Sequence, residues 1–273
     1  PDRVRMVGGQ PQPGTIYSTA ATGFWLSSLP TAVDHGWITR DEGVSFARRT
    51  LEAYVGSSGP PVAGQFGFYY HFLNADGTRF TGFADDGVSI IDSSLLFLGA
   101  IACGEYFGGD IKTLATQLYD RADWEAFFDH SMNMLHLVWL PGPPPQFVRH
   151  LDYTSEGTLA YFLAAGSTTH PVLGADAYYT YSRGNFGRIL GRYGRDGRPL
   201  LQSFFGSLFT YLYPTLLVDV GGMQDAFNID WERNTREAIL ANFRFAQDNP
   251  AFGYSRAFWG ISASDGPNGY QGL

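Results

Sequence analysis

The strongest constraint on the fold is a series of helical patterns that follow one another in pairs. Thr22 can cap a first helix over Phe24–His35, in which Pro30 predicts a break or a kink. The segment TRDE at 39–42 has the form of a capping box, and apolar residues at helical spacing follow it. We therefore expect two antiparallel helices here, and the same rhythm continues to a long predicted helix at 230–247.

Strand signals are few and short. Alternation with a period of two is confined to a predicted hairpin at 66–83, where Tyr69 and His71 lie on the face opposite the apolar one. That face can bind a ligand, or His71 can be a structural histidine with its hydrogen bonds satisfied. The whole pattern predicts an all-α fold of paired helices, an α/α toroid with short β-hairpins, in a single domain over residues 1–273.

The segment SIIDSSLLFLGAIACGEYF at 89–107 predicts a buried helix with one acid, Asp92, in its first turn. Asp92 can cap the helix and interact with its dipole, or it can belong to a functional site. The single cysteine, Cys103, lies within this segment and is expected to be a small buried hydrophobe. The sequence contains no run of about 18 uninterrupted apolar residues, so it predicts no membrane span.

Charge and composition narrow the class of function. The net charge is −8, with one lysine against seventeen arginines, which argues against nucleic acid as a partner. Aromatic residues make up 16% of the chain, there are 34 glycines, and charged residues make up only 16%. Proteins that act on carbohydrates often have this composition, because aromatic rings stack on the apolar faces of sugars. A large aromatic core gives the same composition.

The segment 151–171, LDYTSEGTLAYFLAAGSTTHP, contains one acid, Glu156, at the start of an apolar stretch. One interpretation is that the acid lies in the first turn of a helix and favours its dipole. The other is that Glu156 lies where an apolar wall meets a cleft, so that burial raises its pKa and allows it to donate a proton.

The sequence lacks the motifs of several common classes of enzyme. The sequence contains no phosphate-binding GxxxxGK[ST], no GxGxxG between a strand and a helix, no HExxH and no GxSxG. The histidines show no strong metal-ligand spacing. His130 and His136 are six residues apart, so they would not lie on the same face of a helix. We therefore expect no cofactor and no metal.

What remains is a set of carboxylates among aromatic residues. Two carboxylates on opposite sides of a cleft are the usual requirement for cleaving a glycosidic bond. The main candidates are Asp92, Glu156 and Asp265, with Asp85, Asp86 and Asp152 as outliers.

Five blocks in order carry a resemblance to a known family. They are ATGFWLSSLPTAVDHGWITRDEG (21–43), GFYYHFLNADG (67–77), VSIIDSSLLFLGA (88–100), SEGTLAYFLAAGSTTHP (155–171) and FWGISASDGPNGY (258–270). Together they resemble the bacterial glucoamylase-like glycoside hydrolases, which include endo-β-1,2-glucanases and the transglycosylating domain of cyclic β-1,2-glucan synthases. The resemblance covers most of the chain and is much more specific for the superfamily than for the substrate.

The resemblance implies an (α/α)6 barrel with a sugar-binding cleft and an inverting glycoside hydrolase. It places the proton donor at Glu156, and it makes Asp92 and Asp265 the candidates for a base or for a group that positions a hydroxyl. The positions that match cleft-lining aromatic residues or histidines are Trp25, Trp37, Tyr69, His71, His170, Trp259 and Tyr270.

Two departures from the family pattern are visible. Family members usually continue with further helices after the SDGPxGY block, whereas this sequence ends at Leu273. Either the barrel lacks its last helices, or another segment closes it, or the sequence is a shortened form. Gly157 stands where a bulkier residue is expected. Residues 1–14 contain no apolar signal core, but a processed exported protein would look the same, and we expect a periplasmic or secreted location.

The leading hypothesis is endo-acting, inverting hydrolysis of a β-1,2-glucan. Three alternatives stay open: transglycosylation of the same glucan, glycan binding without catalysis, and polysaccharide lyase chemistry. The last is the weakest, because lyases act on acidic sugars and favour a basic cleft, whereas this chain is acidic.

Overall fold

A computed structural model describes residues 4–83, 86–172, 189–190, 200–203, 206–225, 228–266 and 269–271. The chain divides into two compact units. The first unit comprises Pro1–Leu151 and Leu159–Ala175, and the second comprises Asp152–Thr158 and Asp176–Leu273. The single domain expected from the sequence stays a prediction.

Helices carry most of the regular structure in the described residues, as the sequence predicted. In chain order they are α1 (Thr19–Asp34), α2 (Arg40–Val55), α3 (Ile90–Phe107), α4 (Gly109–Asp120), α5 (Thr158–Gly166), α6 (Phe209–Leu217) and α7 (Trp231–Asp248).

The strands are short. In chain order they are β1 (Val4–Val7), β2 (Gln10–Pro13), β3 (Tyr17–Ser18), β4 (Gly64–Gln65), β5 (Phe68–Tyr69), β6 (Phe72–Leu73), β7 (Val88–Ser89), β8 (Phe128–Asp129), β9 (Met134–Leu140), β10 (Gln146–His150), β11 (Ile189–Leu190), β12 (Leu200–Leu201), β13 (Ser264–Gly266) and β14 (Gly269–Gln271).

The start of α1 differs from the prediction. Ser18, not Thr22, is the N-cap: its backbone is extended, and its Oγ accepts a hydrogen bond from the Ala21 N–H at 3.2 Å. Ser18 also pairs with Phe72 in the β3–β6 ladder, which fixes the extended conformation four residues earlier than expected. The helix does not break at Pro30, because α1 continues through it to Asp34; the alternative of a kink at Pro30 stays a prediction.

The capping box at the start of α2 is confirmed. The Thr39 Oγ1 accepts from the Glu42 N–H, and the Glu42 carboxylate accepts from the Thr39 N–H at 2.8 Å. Gly56 ends α2 in a left-handed conformation, with φ of 80°.

Helix α3 is the core helix of the first unit. It has the length and hydropathy of a membrane span, with a mean hydropathy of 1.4 over 18 residues, but 67% of it is buried inside the protein. Gly99 of α3 meets Gly23 of α1 so closely that a Cβ added at Gly99 would lie 2.0 Å from the Gly23 carbonyl oxygen. Two glycines therefore set the distance between these helices.

The hairpin predicted at 66–83 is only partly correct. Strand β5 pairs with β4, and β6 pairs with β3, whereas residues 80–83 form no strand. A longer hairpin that the sequence patterns did not reveal is formed by β9 and β10, and β7 and β8 each pair with β9.

The second unit contains α6 and α7, and the bounds of α7 differ by one residue at each end from those predicted. Asp230 caps α7 by accepting from the Arg233 N–H at 2.8 Å. The Asn234 side chain accepts from the Leu201 N–H at 2.8 Å and donates to the Leu201 carbonyl at 3.3 Å, which ties β12 to α7.

Candidate functional site

Asp92 is buried in the first turn of α3, where β7 leads into the helix. The Ser89 hydroxyl donates to the Asp92 Oδ2 at 2.5 Å and accepts from the Asp92 N–H at 3.3 Å. Ser89 therefore caps the helix and fixes the carboxylate at the same time, and the positive end of the helix dipole favours the negative charge.

His71 faces this carboxylate. Its Nε2 lies 3.5 Å from the Asp92 Oδ1, and its ring stacks on Phe72 with a centroid distance of 3.8 Å. The backbone of His71 is held on both sides, because its N–H donates to the Gly87 carbonyl and its own carbonyl accepts from the Thr19 N–H. The side chain is still 44% exposed, so Asp92 and His71, which were predicted separately, form an acid–imidazole group that solvent reaches.

Asp86, named from the sequence only as an outlier among the candidate carboxylates, is a second buried acid near His71. Its side chain is buried, its Oδ1 accepts from the Phe72 N–H at 3.3 Å, and its Oδ2 has no hydrogen-bond partner among the described residues. Burial raises its pKa to about 6, against the opposing effects of His71, the Phe72 N–H and Arg79, and the Asp92 charge raises it further. A buried carboxyl in an acidic stretch such as DDG has no sequence signature that separates it from an exposed one.

Tyr69 corrects the prediction for the hairpin face. Its side chain is only 5% exposed, its hydroxyl donates to the Tyr54 carbonyl at 3.2 Å, and its ring packs edge-on against the ring of Tyr54. Burial raises the pKa of Tyr69 well above its usual value. Tyr69 is therefore a core residue and not part of a ligand-facing surface, because β5 is buried on both faces.

Trp25 and Trp37 are exposed, at 46% and 73%. Trp25 lines a cavity of about 650 Å³ together with Tyr17, Tyr54 and Asn74, and neither Asp92 nor His71 lines this cavity.

Trp37 lies outside that cavity, as does His170, which is also predicted as a site residue. The Trp37 ring stacks on His35 at a centroid distance of 5.0 Å. His170 is exposed, with its Nδ1 3.7 Å from the Asp123 carboxylate. Among the predicted residues of the first unit, the structure therefore brings together Asp92 and His71, and Asp86 interacts electrostatically with both.

Glu156 is in the second unit, two residues before α5 begins at Thr158. It is partly buried and is flanked by the buried Ser155 and Gly157. The Ser155 Oγ accepts from the Gly157 N–H at 3.0 Å, and its carbonyl accepts from the Thr158 hydroxyl at 2.9 Å. Glu156 is therefore on a tight, hydrogen-bonded turn and not inside the helix.

Three other predicted residues are in the second unit. Trp259 is 36% exposed and contacts the Phe243 ring edge-on at 5.2 Å. Asp265 and Tyr270 are register partners in the β13–β14 hairpin, and their side chains lie outside the described part of the chain.

A separate cluster in the first unit could hold a metal ion. Asp129, His136 and His150 each offer a ligand atom, and these atoms all lie within 4.8 Å of one another. The pKa of His136 is lowered by burial and by the neighbouring His150, while hydrogen bonds from Ser131 and His150 hold the pKa of Asp129 well below its usual value. No local pattern indicates this cluster, because its two histidines are fourteen residues apart and meet only through strand pairing.

Comparison with known proteins confirms the predicted resemblance. A family model described as "Putative glucoamylase" matches residues 149–273. An exo β-1,2-glucooligosaccharide sophorohydrolase (non-reducing end) from Parabacteroides distasonis is 25% identical over 94% of this chain and 39% of its own length.

Solved structures share the fold. A "putative glucoamylase" from Bacteroides uniformis has a TM-score of 0.82 at 23% identity and covers 96% of this chain and 65% of its own. An endo-β-1,2-glucanase from Chitinophaga pinensis has a TM-score of 0.78 at 21% identity, over 94% of this chain and 63% of its own. The chain is thus similar to bacterial glucoamylase-like glycoside hydrolases, and it spans about two thirds or less of the length of these relatives.

Proposed function

We propose that the chain is the catalytic region of a glycoside hydrolase that cleaves β-1,2-glucan by an endo-acting, inverting mechanism on an (α/α)6 barrel. The similarity to the sophorohydrolase over 94% of the chain is the observation that carries this proposal. The block that holds Glu156 and the block that holds Asp265 both lie within the residues that the family model matches.

In the proposed reaction, Glu156 is the general acid. It gives its proton to the glycosidic oxygen, directly or through a substrate hydroxyl, as the bond to the anomeric carbon breaks. An aspartate takes a proton from a water molecule that attacks the opposite face of the sugar, so the configuration inverts. The turn around Ser155 supports this role, because two hydrogen bonds fix the backbone that carries the acid.

Asp92 and Asp265 are the two candidates for the base. Ser89 already donates to the Asp92 Oδ2, so a water or a sugar hydroxyl would bind at the Oδ1, beside His71. An Asp92→Asn variant separates the two roles. If Asp92 is the base, kcat falls and KM changes little; if it binds a hydroxyl, KM rises and Asp265→Asn gives the loss of kcat.

The lengths of the released products distinguish endo from exo cleavage. The relatives' names include both exo and endo enzymes. We expect the purified full chain to shorten linear β-1,2-glucan rapidly and to release a range of oligosaccharides early in the reaction. Release of sophorose alone would establish exo action, and products longer than the substrate would establish transglycosylation.

The experiment that tests the proposal is a product assay over β-1,2-, β-1,3-, β-1,4- and α-glucans with wild type and Glu156→Gln. We expect turnover on β-1,2-glucan that Glu156→Gln lowers by about 10²–10⁴-fold, the usual contribution of general acid catalysis. The matched control is Glu105→Gln, because Glu105 is exposed and pairs only with Lys112 among the described residues. Glucan binding without any release of reducing sugar by the wild type would contradict the proposal.

A further inference from the structure

The β9–β10 hairpin places two histidines side by side. His136 of β9 and His150 of β10 are direct partners in the antiparallel register, so their side chains emerge on the same face of the hairpin. Their ring centroids are 4.6 Å apart. The ring of His136 also stacks on Phe147 at a centroid distance of 4.9 Å, which limits its rotation.

A carboxylate from a third strand completes the cluster. The Asp129 Oδ1 accepts hydrogen bonds from the Ser131 N–H, the Ser131 hydroxyl and the Met132 N–H, at 2.8, 2.6 and 3.2 Å. These bonds fix the carboxylate with its other oxygen, Oδ2, 2.9 Å from the His150 Nε2. The turn therefore presents one carboxylate oxygen toward the two imidazoles.

One ring nitrogen of His136 lacks a hydrogen-bond partner among the described residues. This nitrogen, the Nδ1, is buried. A buried polar nitrogen without a partner costs stability unless a water molecule or an ion binds it. Here the orphaned nitrogen belongs to a group whose three ligand atoms lie within 4.8 Å of one another.

We propose that Asp129, His136 and His150 bind a divalent transition-metal ion, with Zn²⁺ as the best match. Two imidazole nitrogens and one carboxylate oxygen suit zinc, whereas calcium and magnesium favour oxygen ligands only. A tetrahedral zinc ion places its ligand atoms about 3.3 Å apart, so binding would draw the cluster together. All three residues are partly exposed, so solvent water would be available as the fourth ligand. The ion would add a second link between β8 and the hairpin, beside the β8–β9 strand pairing.

Metal binding by the full chain, first freed of metal with a chelator, tests this proposal. Titration with Co²⁺, followed by its visible absorption, measures stoichiometry and reports nitrogen ligands, and competition with Zn²⁺ gives the zinc Kd. We expect one equivalent to bind, and Zn²⁺ to raise the thermal unfolding midpoint. His136→Gln and His150→Gln should each raise the Kd by more than the roughly 10–100-fold that is typical of losing a group that only supports a ligand, because each removes a ligand itself.

Two further variants keep the test decisive. Asp129→Asn retains an oxygen that accepts the turn hydrogen bonds but removes the charge, so it should fold normally and still weaken binding about 10-fold or more. His130→Gln is the matched control: His130 is exposed and pairs with Glu125 outside the cluster, so its loss should leave the Kd unchanged. No stoichiometric binding by wild type, equal binding by folded Asp129→Asn, or an equal loss in His130→Gln would overturn the proposal.

Discussion

Replacing Asp86 by asparagine should remove a loss of stability that the wild-type protein undergoes as the pH rises from about 4 toward neutral. The carboxyl is buried, and burial raises its pKa to about 6 from an ordinary value of 3.8. The folded state therefore binds this proton more tightly than the unfolded state does, and the free energy of unfolding falls as the pH rises between the two values. Asparagine has nearly the same shape, can still accept from the Phe72 N–H through its amide oxygen, and does not ionise.

The size of the effect follows from the shift of the Asp86 pKa. A difference of about 2.2 pKa units, from 3.8 to about 6, corresponds to about 3 kcal/mol of destabilisation once the carboxyl is fully ionised. About 0.5 kcal/mol of this is already present near pH 4, so the difference in unfolding free energy between Asp86→Asn and wild type should rise by about 2.5 kcal/mol between about pH 4 and pH 8.

Urea unfolding of both proteins across this pH range measures the difference directly. The comparison cancels the contributions of the histidines that do not interact with Asp86, whereas His71 interacts with it directly. Asp76 supplies a control of opposite sign, because hydrogen bonds from Thr78 lower its pKa, so Asp76→Asn should lose stability relative to wild type as the pH rises. A pH-independent difference for Asp86→Asn would refute the argument from burial.

The helix contact and the helix cap give two further predictions. Gly99→Ala should lower the free energy of unfolding by about 1–3 kcal/mol in urea, because its Cβ would lie 2.0 Å from the Gly23 oxygen. Gly59→Ala, with open space around its Cβ, should change it by less than about 0.5 kcal/mol, and equal effects would contradict the packing argument. Thr39→Ala should cost about 1 kcal/mol in the same assay by removing the acceptor of the Glu42 N–H, and Thr39→Ser should restore it.

Local signals predicted a helix well where its cap and its apolar face lie within a few positions of one another. The capping box at 39–42 and the periodicity of α7 are of this kind, and both predictions were correct. Ser18 became the cap of α1 because it pairs with β6, more than fifty residues away, and no local pattern reports such pairing. The β9–β10 hairpin was missed for the same reason.

The candidate site was predictable in part. The lone acid in an apolar helix start identified Asp92, and the structure places it beside His71, which was also predicted. Alternation alone assigned Tyr69 to the ligand-facing side, but both faces of β5 are covered, so the rule for a half-buried strand did not apply. The burial of Asp86 and the meeting of His136 with His150 depend on tertiary packing and cannot be read from spacing.

The central claim is that Glu156 supplies a proton to the departing sugar, and a change of leaving group tests it most directly. The measurement compares kcat for wild type and Glu156→Gln on a β-1,2-linked glucan and on an aryl glycoside of the same sugar, whose phenolate departs without protonation. The account predicts a loss of about 10²–10⁴-fold on the glucan and nearly normal turnover of the aryl glycoside. An equal loss on both substrates, or no loss on either, would contradict it.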